Sequence, residues 1–142
     1  MKASLGSLVL AFGVLCGPPA LAHHSKAFFD MKKVVYIEGT VKDLQWTNPH
    51  AWLDVVVPGK GSAVVLWSME CGAPTVLNKS GWMRDSVKVG DKVKVAVHPL
   101  VSGLPGGDVA AVIFEDGRKP LIVDWAVVDP RYAKTRPTFK PQ

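Results

Sequence analysis

The sequence has few cysteines, the residues that crosslink many small proteins. It contains two cysteines, Cys16 and Cys71, in 142 residues, too few for a disulfide framework. No apolar run reaches the roughly 18 residues that a membrane-spanning helix needs. The motifs of serine hydrolases, P-loop proteins, zinc proteases and dinucleotide-binding enzymes do not occur. We therefore predict a non-catalytic protein held together by a packed core.

The composition that remains is that of one small, mostly β domain. Hydrophobic residues make up 48% of the chain, which excludes a disordered polymer. Thirteen glycines and eleven prolines interrupt the apolar segments and disfavour a long helical bundle. Lysine and arginine total 17 against 12 acidic residues, so the formal net charge is +5.

The first 22 residues have the features of a cleaved export signal. Lys2 gives one positive charge, residues 5–15 are apolar, and Gly17-Pro18-Pro19 precedes Ala20-Leu21-Ala22, whose small alanines suit signal peptidase. An uncleaved anchor is the alternative, but the apolar segment is short for one. Cleavage after Ala22 would leave 142 − 22 = 120 residues that begin at His23. We therefore predict a periplasmic protein with no transmembrane segment after processing.

Removal of Lys2 and Cys16 with the signal would leave 16 basic and 12 acidic side chains, a net charge of +4. The remaining thiol, Cys71, has no partner for an internal disulfide. We expect it to be a buried small hydrophobic residue, with a reactive or metal-bound thiol as the alternative.

Alternation of apolar and polar residues predicts six strands. They span residues 34–46, 50–57, 63–70, 92–98, 108–115 and 120–128. In the first strand the apolar parity changes after Asp43, which predicts a bulge or sharp bend, and Gly39 permits strong coiling. In the second strand Ala51, Leu53 and Val55 share one face, and His50 and Trp52 the other.

A short helix is predicted between the third and fourth strands, because Pro74 suits a first turn and Gly81 a position just past a helix end. The order of elements predicts an all-β fold with one short helix, an OB-like five-stranded barrel plus an extra C-terminal strand. A plain β-sandwich is the alternative. The predicted organisation is a signal peptide (1–22), a flexible segment (23–33), the barrel (34–128) and a basic, proline-containing tail (129–142) that we expect to be mostly unfolded.

The four histidines are the candidate metal ligands. His50 and His98 fall at the loops joining strands one to two and four to five, which form the binding rim of an OB barrel. His23 and His24 would start the processed chain, where an α-amine and an imidazole can chelate copper, zinc or nickel together. Glu70 and Cys71 are secondary candidates. The alternative is that all four histidines are ordinary terminal and surface-loop residues, so copper is a possible rather than a required cofactor.

A second group of candidates surrounds Trp52, which shares its strand face with His50 and Asp54 and could offer an exposed platform to a small ligand. Trp67 and Trp82 are expected in the core. Nucleic acid is disfavoured as a partner, because the signal directs the chain out of the cytoplasm and four basic residues lie in the tail. Weak, salt-dependent contact of that tail with an anionic surface is compatible with its charge.

Several segments together resemble an exported bacterial family, the domain of unknown function 6152. The segments are Ala22-His23-His24-Ser25, Gly39-Thr40-Val41, the run from Trp46 to Trp52, and Gly81-Trp82-Met83-Arg84-Asp85-Ser86 continuing to Gly90-Asp91. The likeness covers about residues 22–118. It implies no activity, but it draws attention to Asn48, His50, Trp52, Arg84 and Asp85 as a shared ligand site or structural corner. Arg84 could equally pair with a carboxylate such as Asp54 or Glu70.

The sequence thus predicts an exported β-barrel that binds an unknown small ligand or another exported protein without catalysis. Binding of copper or another transition metal through His23, His24, His50 and His98 is the alternative function.

Overall fold

The computed structural model describes residues 26–124 and residue 127, and these residues form a five-stranded barrel with one further strand bonded outside it. The elements are a 3₁₀ turn η1 (Lys26–Phe28), β1 (Val35–Gln45), β2 (Trp52–Pro58), β3 (Val64–Glu70), α1 (Pro74–Lys79), β4 (Lys92–Pro99), β5 (Gly106–Phe114) and β6 (Leu121–Ile122). The sheet order is β3-β2-β1-β4-β5-β6, and parallel pairing of β3 with β5 closes the barrel. The predicted fold class, with α1 between β3 and β4, is confirmed.

Strand β1 takes part in both halves of the barrel because it bends. Its first half pairs with β4 and its second half with β2, and Thr40 has a partner in each. The register with β2 shifts between Val41 and Asp43, so the predicted bulge is present. A Cβ on Gly39 would overlap the carbonyl oxygen of Val56, so only glycine permits this close approach of the strands.

Helix α1 begins and ends where the sequence predicts. Pro74 occupies the first turn, and Gly81 has a φ of +87°, a value that favours glycine. Leu77 and Trp82 are fully buried, which fastens the helix and the chain after it to the barrel. Trp82 is therefore in the core as expected, and Trp67 packs partly buried against it.

The core follows the predicted inward parity of the strands. Ala51, Leu53 and Val55 on β2 and the segment before it are fully buried. Val93, Val95 and Val97 on β4 face the same interior. Burial of such side chains contributes about 25 cal/mol per Å² of apolar area, so this core is the main source of stability in a domain without disulfides.

The strand bounds lie within two residues of the prediction except at the end of the sixth strand. β5 begins at Gly106, two residues early, because Gly106 and Gly107 already pair with β3. The sixth strand, predicted over 120–128, ends at Ile122, and that prediction is wrong for residues 123 and 124. The backbone N–H groups of Val123 and Asp124 both donate to the carbonyl of Ala110, so the chain turns away from β5 there.

The predicted signal peptide, His23, His24 and the predicted tail lie outside the described residues. Beyond the sixth strand, Val127 is buried against Ala96, Ala110 and Ala111 on the outer face of the barrel. No helix within the described part of the chain is long and apolar enough to cross a membrane.

Candidate ligand-binding site

Four residues on neighbouring strands lie directly opposite one another across the closure of the barrel. Trp52 pairs with Glu70, Glu70 with Asp108, and Asp108 with His98. Register partners project from the same face of a sheet. Sequence neighbours such as Leu53, Met69 and Val97 are buried in the core, so these four side chains are on the outer face. We call Trp52, Glu70, Asp108 and His98 the polar row.

Exposure decreases along the polar row. Trp52 is 38% exposed and Glu70 is half-buried, whereas Asp108 is 7% exposed and His98 is inaccessible. The accessible part of the row is therefore an aromatic ring beside a carboxylate. This end of the row is suited to contact a ligand from solvent.

His50 lies at the accessible end, next to Glu70. Its Nδ1 atom is 2.5 Å from Oε1 of Glu70. The position follows from local structure, since Ala51 is buried and exchanges backbone hydrogen bonds with Cys71 and Gly72. With Ala51 pointing inward, His50 and Trp52 on either side of it project outward, as the sequence predicts. The structure thus brings His50, Trp52 and Glu70 together.

Asp108 connects the polar row to the start of the described chain. The ammonium group of Lys26 donates to Oδ2 of Asp108 over 2.8 Å. Asp108 can lie this close to β4 because the residue before it is glycine. A Cβ on Gly107 would overlap the carbonyl oxygen of His98. The ammonium end of Lys26 is consequently held at Asp108.

The buried end of the row is a histidine held between two chain segments. Nδ1 of His98 is 2.9 Å from the carbonyl oxygen of Lys33, and Nε2 is 3.3 Å from Oδ2 of Asp124. The carbonyl oxygen of Lys33 can only accept, so Nδ1 of His98 is the donor in that contact. His98 thereby joins the residues before β1 to those after β6.

Cys71 lies beneath the polar row, on the core side. The thiol is buried, as predicted. Burial raises the pKa of Cys71 far above its usual range, and the nearby carboxylates of Asp108 and Glu70 raise it further. The sulfur therefore stays protonated and is a poor nucleophile or metal ligand in this state.

The remaining candidates lie in two connecting segments, one between β1 and β2 and one between α1 and β4. Asn48, Arg84 and Asp85 are exposed. Over residues 26–124, no hydrogen bond or ion pair joins Arg84 or Asp85 to Asn48, His50 or Trp52. The preceding Trp82 is buried, and the N–H of Met83 donates to Oγ of Ser86, so this motif forms a compact turn.

A groove of about 940 Å³ opens on the same outer face, but away from the polar row. Its charged lining is already paired, with Lys94 2.6 Å from Glu38 and Lys92 3.9 Å from Glu115. Apolar lining comes from Pro58, Val64 and Ile113, among others. The row has the denser chemistry, so we place the candidate site at the row rather than in the groove.

Sequence reasoning missed Lys26, Asp108 and Asp124 as members of this region. The signal available for Asp108 was the Gly106-Gly107 pair before a single acid in an apolar strand. Across residues 26–124 and 127, no three His, Cys, Asp or Glu side chains are grouped so that they could hold a metal ion. A metal site at the row would need ligands from outside those residues.

The fold and the row define a small closed β-barrel with a polar patch on its outer face. The model of a family of unknown function (DUF6152) matches residues 13–109, more than half of the chain, and the protein belongs to that family. The resemblance identified from the sequence is thereby confirmed at the level of the family. No curated protein and no solved structure matches the chain.

Proposed function

We propose that this protein is exported to the periplasm and acts there as a small β-barrel module that binds a ligand without transforming it. Residues 1–22 support export, since their charge, apolar segment and alanines are those of a cleaved signal. The ligand is an unidentified small molecule or an exposed group on another exported protein.

The observation that carries the proposal is the accessible end of the polar row. Trp52 presents 38% of its surface beside the half-buried pair of His50 and Glu70. An aromatic face offers apolar contact, and the neighbouring ring nitrogen and carboxylate can orient a polar group. Binding sites commonly combine these two features.

The experiment is native mass spectrometry of the protein purified from the periplasm of cells that express the full chain. Processing predicts a polypeptide of 120 residues that begins at His23, and ligand binding predicts a species heavier than that polypeptide. Trp52→Ala should lose the added mass, while Val89→Ala, at an exposed residue in another loop, should keep it. An unprocessed chain would contradict export. A processed chain without added mass would contradict the retention of a ligand.

Binding of a transition metal is the second candidate function, and the ion pair between Lys26 and Asp108 favours it. His24 and His23 precede Lys26 by two and three positions, and three residues span at most about 10 Å. After cleavage, the α-amine and ring of His23 and the ring of His24 would be within reach of His50 and Glu70. Such nitrogen and oxygen donors suit copper, nickel or zinc.

His98 is less suited to this metal site than the other three histidines. Both of its ring nitrogens already face acceptors, and its side chain is inaccessible. The metal proposal therefore uses His23, His24, His50 and Glu70.

Titration of the processed, metal-free protein with copper(II) tests the metal proposal. We expect one equivalent to bind, and His50→Ala or one extra alanine before His23 to weaken binding at least tenfold. Val89→Ala is the matched control and should bind as the native chain does. Equal copper affinity in the native and alanine-extended proteins would contradict this candidate while leaving the binding of other ligands intact.

A further inference from the structure

The end of the described chain covers part of the outer face of the barrel. Across β1, β4 and β5, the residues Tyr36, Ala96 and Ala111 are register partners and form one row on that face. Val127, the last residue that the structure describes, is buried in the cluster that contains this row. The chain after the sixth strand therefore leads to a known place on the outer face.

The groove begins at the next row of the same three strands. Glu38, Lys94 and Ile113 are register partners two positions along each strand, and side chains two positions apart share a face. All three line the groove of about 940 Å³, as does Thr40, two positions further along β1. The patch beneath Val127 and the groove are thus one continuous surface, of which Val127 covers the first part.

We propose that the groove is the docking site of this chain's own C-terminal segment, residues 128–142, and that Tyr132 enters it. Tyr132 follows Val127 by five positions, and five residues span at most about 17 Å. From Ala96 to Lys92, the groove residue furthest from it on β4, the strand rises about 13 Å. Tyr132 can therefore reach the whole length of the groove along β4.

The chemistry of the segment suits this surface. Pro58 and Ile113 give the groove apolar lining, and a tyrosine ring gains from such contact while its hydroxyl stays near water. Each lysine of the groove is paired with a glutamate, so the four basic residues of the segment meet no net positive charge. Pro130 has no backbone N–H, which suits a segment that lies across a face by side-chain contacts rather than one that extends the sheet.

Covalent attachment favours this occupant over a free partner. A segment joined to the barrel through a few residues is present at an effective concentration on the order of millimolar. A contact too weak to hold a second molecule at ordinary concentrations is therefore formed within one chain. Docking of the segment covers the groove and leaves the polar row as the surface open to ligands.

Thiol labelling at Thr40 tests the proposal in the full chain. Thr40→Cys places a thiol of similar size in the groove, and the native Cys71 is buried. A maleimide should label Thr40→Cys at least fivefold more slowly than Thr40→Cys/Tyr132→Ser, because Tyr132 covers the groove. Tyr132→Phe keeps the ring and should keep the protection. Cys71 should stay unlabelled in each variant, which reports an intact fold.

Thr47→Cys is the matched control for the thiol. Thr47 is exposed and lies outside the groove, in the segment after β1, so its labelling rate should be the same with and without Tyr132→Ser. Equal labelling rates of Thr40→Cys in the native and Tyr132→Ser backgrounds would overturn the proposal. An equal change at Thr40 and Thr47 would overturn it as well, because the effect would not be specific to the groove.

Crosslinking identifies whose segment occupies the groove. Ala133→Cys adds a thiol beside Tyr132 and keeps the ring. A short bismaleimide should link Thr40→Cys/Ala133→Cys within one chain at least tenfold faster than Thr47→Cys/Ala133→Cys. A product that joins two copies would mean that the segment of another molecule fills the groove, and it would overturn docking within one chain. Equal crosslinking of the two double variants would also overturn it.

Discussion

The two halves of strand β3 contrast sharply although they are adjacent in the chain. The half from Ser68 to Glu70 lies between β2 and β5, carries a polar residue of the candidate site and covers the buried Cys71. Among residues 26–124, the half from Val64 to Trp67 pairs with β2 alone, and it exposes aliphatic side chains. In the closed half, polar groups are engaged by partners on other strands. In the open half, aliphatic groups are exposed to solvent.

The comparison shows that the place where the barrel closes, rather than residue type alone, decides where polar side chains can form a cluster. Glu70 obtains neighbours on both sides because β3 meets both β2 and β5 at that residue. At Leu66, four residues earlier on the same strand, the described part of the chain provides a neighbour on the β2 side only. Substitutions that act on closure should therefore have larger effects than substitutions in the open half.

The largest effect is expected from Gly107→Ala, which acts on the closure itself. The new Cβ would overlap the carbonyl oxygen of His98 and the side chain of Val97, so β4 and β5 must move apart. Overpacking of this kind costs about 1–3 kcal/mol, and we expect the upper end because backbone atoms are involved. Urea unfolding, monitored by tryptophan fluorescence, measures the loss in the free energy of unfolding.

Gly103→Ala is the matched control for that substitution. Gly103 has a φ of +76° and nothing near its Cβ position, so only backbone strain of about 1 kcal/mol is expected. Equal stability losses at positions 103 and 107 would mean that the close approach at Gly107 does not limit closure.

Removal of the carboxylate that meets His98 should have the next largest effect. Asp124→Ala leaves the buried Nε2 of His98 without this acceptor, and loss of a buried partner costs about 1–3 kcal/mol. Asp124 is itself partly exposed, so we expect about 1–2 kcal/mol in the free energy of unfolding. Asp43→Ala, at an exposed carboxylate, should change stability by less than about 0.5 kcal/mol. A loss no greater than that of Asp43→Ala would show that the contact with His98 contributes little.

The ion pair between Asp91 and Arg118 lies outside the polar row, and its effect should be smaller and dependent on pH. Desolvation acts to raise the pKa of Asp91, but hydrogen bonds from the Lys88 N–H and from Arg118, 2.6 Å away, outweigh it and lower the pKa. A lowered carboxyl pKa stabilises the fold above the unfolded value of about 3.9, and this contribution is lost as the pH falls through the folded pKa.

Asp91→Asn should therefore reduce stability at pH 7, and the difference from the native protein should shrink below about pH 4. Thermal unfolding of the variant and the native protein at pH 7 and at pH 3 measures this difference in stability. Arg118→Gln removes the other partner of the ion pair, so it should also reduce the pH dependence of stability. A difference that is as large at pH 3 as at pH 7 would contradict the assignment.

The smallest effect is expected in the open half, from Val64→Ser. Val64 is 68% exposed in the single chain, so little apolar burial is lost and the free energy of unfolding should change by less than about 0.5 kcal/mol at low concentration. Circular dichroism during urea unfolding measures it. A destabilisation comparable to that of Asp124→Ala would mean that this half of β3 is covered in the single chain.

Much of the fold was predictable because its signals are local. The alternation at Val93, Val95 and Val97 identified β4, and Pro74 and Gly81 marked α1, since each reflects the preference of a few consecutive residues. The parity change after Asp43 indicated the bulge for the same reason. The end of the sixth strand was not predictable, because it depends on the Ala110 carbonyl accepting from both Val123 and Asp124.

The candidate site was predictable only in part. Outward placement of His50 and Trp52 followed from the buried parity of Ala51 and Leu53. The burial of His98 did not follow, since its partners Lys33 and Asp124 come from distant segments. Whether Asn48, Arg84 and Asp85 take part in binding stays a prediction.

By itself, the sequence determined the first five strands, the helix and the family, because periodicity, turn residues and short motifs are properties of neighbouring residues. Only the tertiary structure decided that Trp52, Glu70, Asp108 and His98 form one row and that Lys26 reaches it. That decision depends on the register of β3 and β4 against β5, which the tight approach at Gly107 permits. Register is a relation between segments far apart in the chain, so no local pattern contains it.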